Sequence, residues 1–140
     1  MPRVLLADDE ESLRIVLSRL LRNLGCDVVT VANGAEALAA YLEAPKSWSL
    51  VMLDIVMPVM TGVGAYHAIR AYSAQTNVLL CSGYHTESIG GALATDPRLR
   101  FLGKPFDGQE LQRVLDGLGV MPSHAAMLRP PATAEVCATT

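Results

Sequence analysis

Five short apolar runs, each followed by a stretch with helical periodicity or helix-forming composition, constrain this chain more than any other feature of its sequence. The runs are Val4-Leu5-Leu6-Ala7, Asp27 to Ala32, Leu50-Val51-Met52-Leu53, Val78-Leu79-Leu80-Cys81 and Leu99 to Leu102. The third and fourth runs, continuously apolar, fit strands covered on both faces, and the second reads as a strand from its β-branched residues. After the first run, Leu13, Leu17, Leu20, Leu21 and Leu24 recur at helical spacing, with Arg14, Arg19 and Arg22 on other faces and Gly25 placed as a C-cap. Ala35 to Leu42 is rich in strong helix formers behind Asn33-Gly34, and another helix follows Gly62 to about Tyr72. Pro45-Lys46-Ser47 reads as loop. The fourth helix, near Ser88 to Thr95, is weak, because each of Gly90 and Gly91 costs about 1 kcal/mol against alanine. Asp107 is placed to cap a last helix whose buried stripe is Leu111, Val114, Leu115 and Leu118. Strands alternating with helices imply one parallel, doubly wound α/β sheet with right-handed crossovers.

The chain has 140 residues, enough for one sizeable core. Half of them are hydrophobic (51%) and 18% are charged, which excludes a disordered chain. A net charge of −3 without a Lys/Arg cluster argues against nucleic acid as a partner. The most apolar window, Leu50 to Met60, is broken by Asp54 and Pro58, so no membrane span is expected. The chain enters a strand-like run at once, without the pattern of a signal peptide; Met1 directly before that run favours a free-standing cytoplasmic protein. Cys26, Cys81 and Cys137 form no ligand-spaced pair and read as reduced thiols, the first two in the core. Trp48 and the tyrosines are scattered and make no cofactor platform, and His67, His85 and His124 read as surface residues. The pattern ends near Gly119; residues 1–119 read as the domain and 120–140, with Pro122 and Pro130-Pro131, as a poorly ordered tail.

In a sheet of this kind the working site lies beyond the carboxyl ends of the strands. Strand one ends in Asp8-Asp9-Glu10-Glu11, strand three in Asp54, strand four in Ser82 and strand five in Lys104-Pro105. Alone, the acids would be an N-terminal helix cap and Asp54 the start of a turn. On one rim they repel one another, and a divalent cation relieves that. A few carboxylates with open positions suit Mg²⁺ shared with a phosphate; Cys81 is the one soft ligand near these strand ends. A carboxylate attacks phosphorus without a general base, and the acyl phosphate formed needs a metal, a cation and a donor. Lys104 supplies the cation and Ser82 the donor.

In these residues the sequence resembles the response-regulator receiver family. Four motifs carry the resemblance over residues 3–118: Asp8-Asp9, Asp54-Ile55-Val56-Met57-Pro58-Val59-Met60-Thr61-Gly62, Ser82-Gly83 and Lys104-Pro105-Phe106. The resemblance implies a (βα)5 flavodoxin-like sheet in the order 2-1-3-4-5, and Asp54 as phosphoryl acceptor. Asp8, Asp9, Asp54 and the Val56 backbone carbonyl would hold Mg²⁺, with Mn²⁺ as a substitute. Lys104 would pair with the phosphoryl group and Ser82 would shift to hydrogen-bond it. Phe101 would be the switch aromatic, and the Lys104-Pro105 bond would be cis. The phosphodonor would be a sensor histidine kinase or a histidine phosphotransfer protein, the output a downstream protein, and a homodimer through the helix-four to helix-five face is among the family's assemblies.

Some positions depart from the commonest family pattern. Phe101 has no hydroxyl, so a switch there works by packing. Val56 and Tyr84, the positions that would flank the phosphoryl group, carry neither acid nor amide, which predicts a long-lived acyl phosphate. The alternatives are the receiver end of a hybrid sensor kinase and a phosphorylation-independent interaction module, though none of the acids nor Lys104 is missing. An aspartyl phosphatase would carry an acid where Val56 stands, and a flavodoxin-like flavin carrier would not place Asp8-Asp9-Glu10 at its phosphate loop.

Overall fold

The computed structural model describes residues 2–83 and 90–120. The strands are β1 (Arg3–Ala7), β2 (Asp27–Val31), β3 (Leu50–Asp54), β4 (Val78–Ser82) and β5 (Leu99–Gly103). The helices are α1 (Glu11–Asn23), α2 (Gly34–Glu43), α3 (Gly62–Tyr72), α4 (Gly90–Thr95) and α5 (Gly108–Gly117). All pairings are parallel and the order is β2-β1-β3-β4-β5, the order expected.

Alternation along the strands divides the apolar side chains between two cores. Val4, Leu6, Leu50, Met52, Leu79, Cys81 and Leu102 meet Leu17 and Leu21 of α1 and Leu111 and Leu115 of α5. Leu5, Ala7, Val51, Leu53, Val78, Leu80 and Leu99 meet Ala37 and Tyr41 of α2 and Ala65, Tyr66 and Ile69 of α3. Leu5, Leu53 and Leu80 are fully buried, each contributing about 2 kcal/mol. Both described cysteines are buried thiols.

The ends of the helices follow from local chemistry. Asn33 accepts from the Glu36 N–H and Thr61 from the Gly64 N–H, capping α2 and α3. Asp107 caps α5 as expected and forms a reciprocal capping box with Glu110. Gly25 stands just past α1 with φ +96°, which suits glycine.

Several local expectations are corrected. Pro45–Ser47 forms a turn of 3₁₀ helix, started by the fixed φ of proline. Val120, placed in the tail by the sequence, is buried in the α1–α5 core, and its N–H donates to the Leu115 carbonyl at 2.9 Å. The rest of the tail, 121–140, lies outside the described residues, as do Tyr84 and His85. The described part of α4 is Gly90–Thr95, and the start expected near Ser88 lies outside the described residues. Trp48, Tyr41 and Tyr72 are not scattered. They line one cleft of about 500 Å³ where the C-terminal ends of α2 and α3 converge, with the Tyr41 and Tyr72 rings edge to face at 5.9 Å.

Candidate functional site: the carboxyl ends of the strands

Strand parity decides which side chains meet. Asp8 extends the phase of Val4 and Leu6, Asp54 that of Leu50 and Met52, and Lys104 that of Leu102, so all three turn toward the α1–α5 side. Ser82 extends the phase of Val78 and Leu80 and turns toward the other side, where Phe101 packs. Ser82 and Phe101 therefore flank the acids from the opposite layer, on neighbouring strands registered Leu80 to Phe101 and Ser82 to Gly103.

The acids and the lysine form one cluster. Lys104 Nζ donates to Asp8 Oδ2 at 3.0 Å and lies 3.4 Å from Asp54 Oδ2. Asp8 is 1% exposed, and its Oδ1 accepts from the Glu10 N–H at 3.0 Å. Asp9 is exposed. Asp8, Asp9 and Asp54 each offer an oxygen within 4.8 Å of the others. The acids do not cap α1: its N-cap is Glu10, which makes no side-chain cap hydrogen bond. Glu10 borders the cleft, but only Asp8 and Asp9 of the acidic run join Asp54. The cleft, of about 340 Å³, is lined by Asp9, Asp54, Val56, Ser82 and Lys104 among others.

Two close approaches hold Asp54 at this rim. The Ile55 N–H donates to the Cys81 carbonyl and the Gly62 N–H to the Ile55 carbonyl. A Cβ on Gly62 would overlap the Asp54 carbonyl oxygen, so only glycine lets α3 start this close to the strand end. On β5, the Lys104 N–H donates to the Ser82 carbonyl at 2.8 Å and the Lys104-Pro105 bond is cis.

The electrostatics follow from burial and charge. Burial raises the Asp54 pKa; the Lys104 charge opposes this and the Asp8 charge adds to it, with a net rise. Burial disfavours the Lys104 charge, but the hydrogen bond to Asp8 and the Asp54 and Asp8 charges outweigh it and raise its pKa. Burial pushes the Cys81 thiol far up, so it offers no thiolate to a soft metal. What remains is a set of hard carboxylate oxygens, which fits Mg²⁺.

Val56 is 57% exposed, and its N–H reaches Asp54 Oδ1 at 3.4 Å. Phe101 is half-buried against the α2–α3 core. Tyr84 lies outside the described residues. A contact the sequence did not signal is made by Arg14 of α1, whose guanidinium donates to the Asp8 carbonyl at 2.7 Å. Its only sequence cue is that it stands one helical turn beyond Glu10.

The family model described as the response regulator receiver domain matches residues 4–116. The chain belongs to that family. It is 33% identical over 117 residues to the chemotaxis protein CheY of Bacillus subtilis, covering 83% of this chain and 93% of that protein. Among solved structures it is similar to the response regulator TrrA of Thermotoga maritima in complex with Mg²⁺-BeF. The TM-score is 0.75 and the identity 31%, over 84% of this chain and 99% of that one. It is also similar to the receiver domain of the hybrid histidine kinase CckA, at TM-score 0.68 and 33% identity over 83% of this chain and 98% of that one. This receiver is a phosphoryl-accepting module of two-component signalling.

Proposed function

We propose that Asp54 is the phosphoryl acceptor of this receiver. The observation that carries the reading is the Lys104 ammonium held between Asp8 and Asp54, 3.0 and 3.4 Å away, at the mouth of an otherwise acidic cleft. An Asp54 oxygen bonds to phosphorus as the bond from phosphorus to the phosphodonor's histidine nitrogen breaks, and that nitrogen regains a proton. Asp8, Asp9, Asp54 and the Val56 carbonyl would hold Mg²⁺, or Mn²⁺ in its place. When bound, the ion neutralises charge on the acceptor and on the incoming phosphoryl oxygens. Lys104 then pairs with the phosphoryl group, and the buried Ser82 donates to it.

The switch reading is implied by the family resemblance, and the opposite-layer placement of Ser82 and Phe101 supports it. Movement of Ser82 toward the phosphoryl group vacates space that the Phe101 ring fills, and the α4–β5–α5 face changes. The phosphodonor in this reading is a sensor histidine kinase or a histidine phosphotransfer protein, and the output is contact with a downstream protein or a second copy. The receiver occupies residues 1–119 together with Val120, which its core takes in; it works in the cytoplasm and turns over no separate substrate. No helix among the described residues is long and apolar enough to cross a membrane.

Site mapping tests the assignment. The protein is phosphorylated with phosphoramidate and Mg²⁺, reduced with borohydride and digested. Homoserine at position 54 is expected; homoserine at Asp8 or Asp9, with Asp54 intact, overturns it.

A further inference from the structure

The carbonyl oxygen of Asp8 accepts from a side chain of the helix that follows it. Arg14 Nη1 donates to it at 2.7 Å, while the Arg14 backbone N–H donates to the Glu10 carbonyl at 3.0 Å. Arg14 is thus tied to both ends of the Asp8-Asp9-Glu10 connection. Every other polar group of Asp8 is held as well: the N–H by the Val31 carbonyl at 3.2 Å, Oδ1 by the Glu10 N–H and Oδ2 by Lys104. Asp9 is exposed and stands between these two fixed residues, so whatever fixes their backbone aims its carboxylate. The Glu10 N-cap supplies no side-chain bond that would do the same from outside the helix.

We propose that Arg14 is a positioning residue for the metal-binding carboxylates, acting through the Asp8 carbonyl. This rests on the Mg²⁺ reading of the Asp8, Asp9 and Asp54 cluster. The sign of the effect separates it from simple electrostatics. A guanidinium on this rim repels a divalent cation, so by charge alone its removal tightens Mg²⁺ binding. A positioning role has the opposite consequence, because losing the bond loosens the turn that presents Asp8 and Asp9.

The test compares wild type, Arg14→Met and Arg14→Lys as full chains. Mg²⁺ titrations are followed by the amide shifts of Asp9 and Asp54, and hydrogen exchange of the Glu10 amide is followed without metal. Arg14→Met is expected to weaken Mg²⁺ binding roughly tenfold, with Arg14→Lys between it and wild type. Binding as tight as wild type, or tighter, in Arg14→Met overturns the proposal. If Arg14→Met does not fold, Arg14→Lys decides: weaker binding sustains the proposal and unchanged binding overturns it. A wild type with no Mg²⁺ response sinks the metal reading itself. The metal-free exchange then judges Arg14 alone: faster exchange at Glu10 in the variant sustains its positioning role, and equal exchange removes it.

Discussion

The Lys104 ammonium stands 3.4 Å from the Asp54 carboxylate while donating to Asp8 at 3.0 Å, so one cation serves Asp54 and a buried acid together. The Asp8 side chain is almost fully buried, and removing its cation leaves that charge uncompensated. Lys104→Met is therefore expected to destabilise the metal-free protein by about 3 kcal/mol. Urea denaturation in the presence of a chelator measures it. A loss below about 0.5 kcal/mol would mean that Asp8 does not depend on Lys104.

Val59, in the connection from β3 to α3, has φ +68° and is 84% exposed. A β-branched residue in the left-handed region is strained by about 1 kcal/mol or more, and little packing of its side chain offsets this. Val59→Asn keeps the turn and tolerates that conformation, so it should raise stability by about 1 kcal/mol in urea melts. A destabilised Val59→Asn would show that the side chain is held in a way its exposure hides.

Asp96 ties the end of α4 to α3: its Oδ2 accepts from the Tyr66 hydroxyl at 2.6 Å and from Arg70 Nε at 2.8 Å. Burial pushes its carboxyl up, but the hydrogen bonds from Tyr66, the Arg98 N–H and Arg70, together with the Arg70 charge, outweigh it and hold the pKa below the ordinary value. The folded pKa is depressed, so this stability is present above the unfolded pKa of about 3.9 and is lost as pH falls through the folded value. Asp96→Asn should be less stable at neutral pH and should lose stability less steeply below about pH 4. Urea midpoints measured across that range check both; parallel wild-type and variant profiles would rule out the linkage.

The sheet was legible because buried parallel strands write themselves as apolar runs, and the rim followed because a parallel sheet brings all its strand ends together. Asp8, Asp9, Asp54, Ser82 and Lys104 were found this way and do line one site. The Arg14 contact was not legible, because a helix-surface arginine and one that folds back on a strand end look the same in sequence. Nor was the convergence of Trp48, Tyr41 and Tyr72, which depends on two helix ends meeting through tertiary packing. Val120 was missed because one apolar residue beyond a C-capping glycine carries no periodicity.

Val56 lines the cleft beside Asp54, and its side chain has no group to orient a water. The phosphorylated protein should therefore decay slowly. Val56→Asn, which adds an amide at that edge, should shorten the lifetime on the order of tenfold, less than a full general base would. Decay of the phosphorylated mass with time measures it; an unchanged lifetime would show that Val56 does not control access of water.

The most direct measurement is intact mass after incubation with acetyl phosphate, for wild type and Asp54→Asn, with Mg²⁺ and with chelator. One added phosphoryl group, about 80 Da, is expected only for wild type with Mg²⁺. The same gain in Asp54→Asn, or a gain in wild type that ignores the chelator, would contradict Asp54 as the Mg²⁺-dependent acceptor.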